Sequence, residues 1–256
     1  MKNKIYDIRR EMNTLESSEN RVKCLKNTFI GETMYIVAAG PSLKNIDSDY
    51  LVNFLKDKLT VSIKQSYDII KEVTDIHLLN FCNLSTYSQV NEHAITGWTV
   101  WDPNQINWIV QNCRCDFICD VFRNNNDMSK SVAGVGDWDA LLFDKQHSRP
   151  WGPGLMYEMA IPLGILMGVK KFVLIGWDIG TIDHKEMDNN GHVWDHHSYN
   201  ENRILGGTQF KMSREEILLT ANSTKSLYYW LKEKNIELEI VSDNNPGYKN
   251  IPRVKI

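Results

Sequence analysis

The sequence predicts an α/β fold, a mostly parallel sheet with helices on both faces and a long lid segment. Three observations predict it. Short apolar, β-rich runs alternate with helical patterns along the chain, which is the signature of crossover connections. Two of those runs, residues 34–39 and 172–176, end in small-residue turns, and the second is apolar throughout, as a central parallel strand is. Two long polar segments, 123–152 and 177–212, interrupt the alternation; segments of that length in a compact domain are usually binding loops or lids. The arrangement is Rossmann-like.

Residues 3–28 read as an N-terminal helix, because Ile5, Ile8, Met12, Leu15 and Val22 recur at helical spacing. That helix is assigned to 1–30, ahead of a single Rossmann-like domain over 31–256 whose lid covers 177–212. Leu51, Val52 and Leu55 put one apolar face on a helix over 45–56. Strands fit 59–63, 76–80, 99–101 and 116–122. Within 123–152 one helical turn fits 137–143. An almost wholly apolar helix fits 154–167, hence buried on most sides. Ser213 and Glu216 are spaced as a capping box for a helix over 213–234, and 237–241 is the last strand.

Composition excludes several classes. The net charge is −3 and no dense Lys/Arg block occurs, which argues against nucleic acid as a partner. Residues 1–23 are polar and lack the apolar core of a signal peptide. The longest apolar stretch, 160–169, is about half the length of a bilayer span, so no transmembrane segment and a cytoplasmic location are expected. Cys113, Cys115 and Cys119 fit either a zinc site or reduced thiols at core positions; without paired CxxC spacing the thiol reading is the better one, and no metal ligand set is assigned.

Two motifs carry chemistry. Gly40-Pro41-Ser42 follows the first strand, where ligands of open α/β sheets bind. A small residue lets backbone approach a phosphate or ribose, Pro41 fixes the turn, and Ser42 either caps the following helix or bonds the ligand. A branched side chain at Gly40 is expected to block the ligand and spare the sheet. The second motif, Gly176-Trp177-Asp178, delivers a carboxylate just past the end of a central strand, either as a site residue or as a cap on nearby N–H groups. Neither the GxGxxG nor the Walker pattern is present.

In order and separation, the run from Ile36 to Leu43, the helix opening at Trp151-Gly152-Pro153-Gly154, the Gly176-Trp177-Asp178 end and the closing helix and strand resemble one known group. The chain is similar to bacterial sialyltransferases that use CMP-activated sialic acid. It is also similar to the motility-accessory glycosyltransferases and 6-hydroxymethyl-dihydropterin diphosphokinases related to them. The resemblance covers about residues 34–246. It implies that Gly40, Pro41 and Ser42 sit against the nucleotide, that Gly152 and Gly154 line its phosphate or ribose side, and that Asp178 ends the strand beside it. Ala39 stands where the sialyltransferases carry Asn, and Gly180 where they carry Tyr, leaving Tyr199 or Tyr157 as substitutes. No His lies in 210–214 before the closing helix, so His196 and His197 become the candidate catalytic histidines.

The lid concentrates His184, His192, His196 and His197 with Asp183, Asp188 and Asp195. Such a set can supply a general base, ligate a divalent metal, or form a solvated loop. Trp177 and Trp151 adjoin the motifs and suit stacking on a base or sugar, and Lys64 and Arg149 are candidate aids to the phosphates. The expected activity is a glycosyltransferase of surface-glycan biosynthesis. It would move a sugar from a nucleotide-activated donor, with CMP-linked nonulosonic or keto-acid sugars favoured, to a glycan acceptor. The catalytic residues would be His196, His197 and Asp178, and the nucleotide would lie against Gly40, Pro41, Ser42, Gly152, Gly154, Trp177 and Tyr199. The alternative is an ATP-dependent diphosphokinase of the pterin type, which needs Mg²⁺; otherwise no cofactor is expected. The sequence leaves room for a homo-oligomer.

Overall fold

The computed structural model describes residues 2–81, 93–122, 130–152, 154–178, 214–241, 245 and 247–256. Its centre is an eight-stranded sheet, and every adjacent pair of strands is parallel. The strands are β1 (Thr33–Val37), β2 (Leu59–Ile63), β3 (Ile76–Asn80), β4 (Ile95–Val100), β5 (Phe117–Phe122), β6 (Arg149–Pro150), β7 (Lys171–Ile175) and β8 (Glu237–Val241). They lie in the order β6-β5-β4-β3-β2-β1-β7-β8. The chain therefore steps outward from β1 to β6, then returns to the other side of β1. The strand order reverses between β1 and β7.

The N-terminal segment is two helices where the periodicity predicts one. These are α1 (Lys2–Met12) and α2 (Ser18–Lys23). Thr14 Oγ1 donates to the Glu11 carbonyl, and the Ser17 hydroxyl accepts from Asn20 N–H to cap α2. Both contacts compete with a continuous helix. Likewise Asp47 accepts from Tyr50 N–H and starts α3 at Ser48 (Ser48–Leu55), after a separate 3-10 turn over Pro41–Asn45. Among the described residues the other α-helices are α4 (Tyr67–Ile70), α5 (Pro103–Asn112), α6 (Val132–Val135), α7 (Ile161–Met167) and α8 (Arg214–Glu233).

Both faces of the sheet are covered. Ile5, Ile8 and Met12 of α1, Val22 of α2, Leu163 of α7 and Leu227 of α8 share one core with Ile36, Val61, Ile76 and Phe172 of the strands. The N-terminal helices thus belong to this core. Leu51 and Leu55 of α3, Ile70 of α4 and Ile109 of α5 pack on the opposite face. Ahead of α7, residues Met156–Ala160 form a wide π turn, all buried. Pro162 lacks the N–H that a regular helix would send back to Glu158, so the widened turn sits where that bond is missing. Among the described residues no helix is long and apolar enough to cross a membrane.

One device recurs at the amino ends of the strands. Asp75 accepts from Thr60 N–H (2.9 Å), and Asp116 accepts from Thr96 N–H (2.7 Å), each locking its strand to the preceding one. Asp116 is paired to Arg9 of α1 (2.9 Å), while burial lifts the Asp75 carboxyl to about 6 from its usual 3.8. The folded chain then holds a proton that the unfolded chain has released. The associated stability is present below about pH 4 and lost as pH rises through 6, a cost on the order of 3 kcal/mol at neutral pH. Asp75→Asn keeps an oxygen for Thr60. It should raise the melting temperature by several degrees at pH 7.5, with the gain vanishing near pH 4, as a melting series across that range would show.

Candidate functional site

The two sequence motifs meet where the strand order reverses. β1 and β7 pair through Ile36–Leu174 and Val37–Ile175, and the pairing continues past both strands. Ala38 N–H donates to the Ile175 carbonyl and Gly40 N–H to the Gly176 carbonyl, both at 2.8 Å. Gly176 adopts a left-handed φ of +65°, which turns the chain so that Trp177 enters the core and Asp178 faces the Gly40 turn. A crevice at this reversal is where open parallel sheets bind ligands.

The turn itself is closed by Asp178. Ser42 N–H donates to Asp178 Oδ2 at 2.6 Å, so the carboxylate caps the 3-10 turn that Pro41 opens. The Ser42 hydroxyl lies beside the same carboxylate without completing a hydrogen bond of good geometry. Burial pushes the Asp178 carboxyl up, and the Ser42 groups oppose that shift. A capping role for this carboxylate, one of two readings open in the sequence, is what the geometry displays.

The neighbouring strand end is tied in as well. The Ser66 hydroxyl donates to the Val37 carbonyl (2.6 Å) and accepts from Ile63 N–H (3.0 Å), bridging the ends of β1 and β2. Lys64 sits in that bridge with a left-handed φ of +53°, and its carbonyl receives His77 Nε2 at 3.0 Å. Lys64 is therefore one strand away from the Gly40 turn. Arg149 is not near it: the side chain is fully buried, donates from Nη1 to the Leu141 carbonyl and lies over the Phe143 ring.

Trp177, expected against the nucleotide, is 7% exposed and packs edge-on to Tyr157 at 6.0 Å. Tyr157 in turn stacks on Trp138. Gly152 and Gly154 lie at the start of the π turn; a side chain at Gly152 would meet Tyr157 Cβ at 3.1 Å, and Gly154 N–H donates to the Gly152 carbonyl. The structure thus links the Gly152 segment to the β7 end through Tyr157 and Trp177. His196, His197 and Tyr199 lie outside the described residues, as does the lid from 179 to its end.

Two contributors were not read from the sequence. Asn245 Nδ2 donates to the Trp177 carbonyl, fixing the backbone that carries Asp178, and Asn245 Oδ1 accepts from Gly247 N–H. Arg253 holds that loop through the Asn245 and Gly247 carbonyls, both at 3.1 Å. The Asn-Pro-Gly run after the last strand was the available signal, since it marks a turn at the carboxyl edge of the sheet. Among the described residues no group of three His, Cys, Asp or Glu side chains is placed to hold a metal. Compared with family models and with curated proteins, the chain matches none.

Gly40 is a packing requirement first. A Cβ there would lie 2.3 Å from the Gly176 carbonyl oxygen and 2.5 Å from Asp178 Oδ2. The expectation that a branched side chain would spare the sheet is corrected by that contact, because both obstacles belong to the adjoining strand end. Gly40→Ala should destabilise the fold by about 1–3 kcal/mol, the usual cost of overpacking. Urea unfolding checks this: the midpoint falls while the slope is unchanged.

Proposed function

We propose that the chain is a cytoplasmic glycosyltransferase that moves a sugar from a nucleotide-activated donor, CMP-linked in the favoured case, to a glycan hydroxyl. One observation carries the reading: the Gly40-Pro41-Ser42 turn and Asp178, 136 residues apart, are in hydrogen-bond contact at the strand-order reversal. That is the position a nucleotide takes in sheets of this topology. The sequence resemblance supplies the chemistry that the position alone leaves open.

In the transfer, the acceptor oxygen bonds to the anomeric carbon as the bond from that carbon to the phosphate breaks. The nucleotide leaves with the electron pair, and the acceptor proton passes to a base. The sequence assigns that base to His196 or His197. Asp178 and the turn hold the nucleotide while the sugar extends toward the acceptor, so the rate gain at this end comes from positioning.

A melting screen against CMP, CTP, CMP-linked sugars and ATP with Mg²⁺ tests the reading. CMP and CMP-linked sugars should raise the midpoint by several degrees. Stabilisation by ATP with Mg²⁺ alone moves the chain to the diphosphokinase alternative, and no shift with any nucleotide removes both. For the base, His196→Gln and His197→Gln should be compared by pH–rate profile and by nucleotide affinity. The variant lacking the base loses turnover and the acid limb near pH 6.5 while nucleotide affinity stays at the parent value.

A further inference from the structure

We propose that the Gly40 turn seats the ribose of the nucleotide and not its phosphates, with Asp178 reading the ribose hydroxyls, so that the site takes ribonucleotides over their deoxy forms. This rests on the nucleotide-dependent reading above. The sequence leaves this turn open to a phosphate or a ribose, and the backbone N–H groups of Gly40, Ser42 and Leu43 that a phosphate would use are already spent. Gly40 N–H donates to the Gly176 carbonyl, Ser42 N–H to Asp178 Oδ2 and Leu43 N–H to the Gly40 carbonyl (3.3 Å), while Pro41 has no N–H to give. A phosphate at this turn would find none of these three backbone donors free. It would also meet a carboxylate lodged in the very place an anion takes at the start of a helical turn.

The same carboxylate is well suited to a different group. An ionised carboxyl only accepts hydrogen bonds, and its two oxygens offer about four sites. Oδ2 takes Ser42 N–H, and among the described residues the only other donor beside the carboxylate is the Ser42 hydroxyl, so most of its acceptor sites stay open. Its complement is a neutral donor, and the adjacent hydroxyls of a ribose supply two at the spacing of one carboxylate. The Ser42 hydroxyl, which can both donate and accept, stands beside the same carboxylate with no hydrogen-bond partner of its own. It suits the second hydroxyl.

The acceptor is also held still. Asn245 grips the Trp177 carbonyl, the Trp177 ring is wedged against Tyr157, and the contact of Gly40 with Gly176 leaves no slack beneath Asp178. A preformed acceptor bonds a hydroxyl without first being ordered. Removing that hydroxyl leaves a partly buried carboxylate oxygen unpaired, which costs at least about tenfold in affinity.

The test is calorimetric titration of the full chain with CMP and with 2′,3′-dideoxy-CMP, and in parallel with ATP and 2′,3′-dideoxy-ATP, each in EDTA and in Mg²⁺. The nucleotide that binds should lose at least about tenfold in affinity on removal of its ribose hydroxyls, with or without Mg²⁺. Asp178→Asn keeps an oxygen for Ser42 but turns an amide outward, and should narrow that ratio to a few-fold. The parent ligand series decides the matter even if this variant folds poorly. Equal affinity for the ribose and dideoxy forms overturns the proposal and leaves the nucleotide reading standing. A ratio undiminished in Asp178→Asn places hydroxyl recognition elsewhere, and a ratio seen only with Mg²⁺ makes Asp178 a cation ligand; either overturns it. Binding of neither nucleotide overturns the reading and the proposal together.

Discussion

The close approach of β1 and β7 beyond their last paired residues is the constraint on which the candidate site depends. The two chains are held there by the Gly40–Gly176 backbone bond, and a methyl group on either glycine would strike the opposite backbone. The left-handed turn at Gly176 then fixes the directions of the next two side chains. Trp177 goes inward to the aromatic row with Tyr157 and Trp138, and Asp178 goes across to Ser42. One small residue on each strand thus determines where a bulky side chain is buried and where a carboxylate is presented.

Much of the sheet was legible in the sequence because its strands are buried on both faces and read as apolar runs. β2, β3 and β8 match their expected spans, and β7 is displaced by one residue. β4 was harder: it starts at Ile95, four residues before the expected run, and contains Gly97. Glycine weakens a strand signal, yet here it leaves space for the Phe117 ring and Met159, a packing fact visible only in three dimensions. β6 is two residues long and includes a proline, so it had no pattern to find. The break between α1 and α2 depends on hydroxyl contacts of Thr14 and Ser17 that a count of apolar spacing does not register.

For the site, the sequence named the two motifs but not the partition of their hydrogen bonds. A small-residue turn before a helix reads as a seat for a phosphate or a ribose, and the phosphate reading assumes that its N–H groups point at the ligand. Whether those groups are spent inside the chain depends on a carboxylate 136 residues away for Ser42 and on backbone carbonyls for Gly40 and Leu43. Asn245 and Arg253 were missed for a related reason. Their donors act on backbone carbonyls, and carbonyls carry no residue-type signal.

The pairing of Arg9 with Asp116 spans 107 positions, and Arg21 reaches the Asp116 carbonyl from the same side. On a ribosome adding about 5–20 residues per second, α1 and α2 leave the exit tunnel several seconds before β5 exists. Through that interval the Asp116 anchor for Arg9 and Arg21 is missing, and the helices are too short to persist alone in water. These two helices therefore find their final place only after a strand made much later. Until then their apolar faces stay open to chaperones during synthesis.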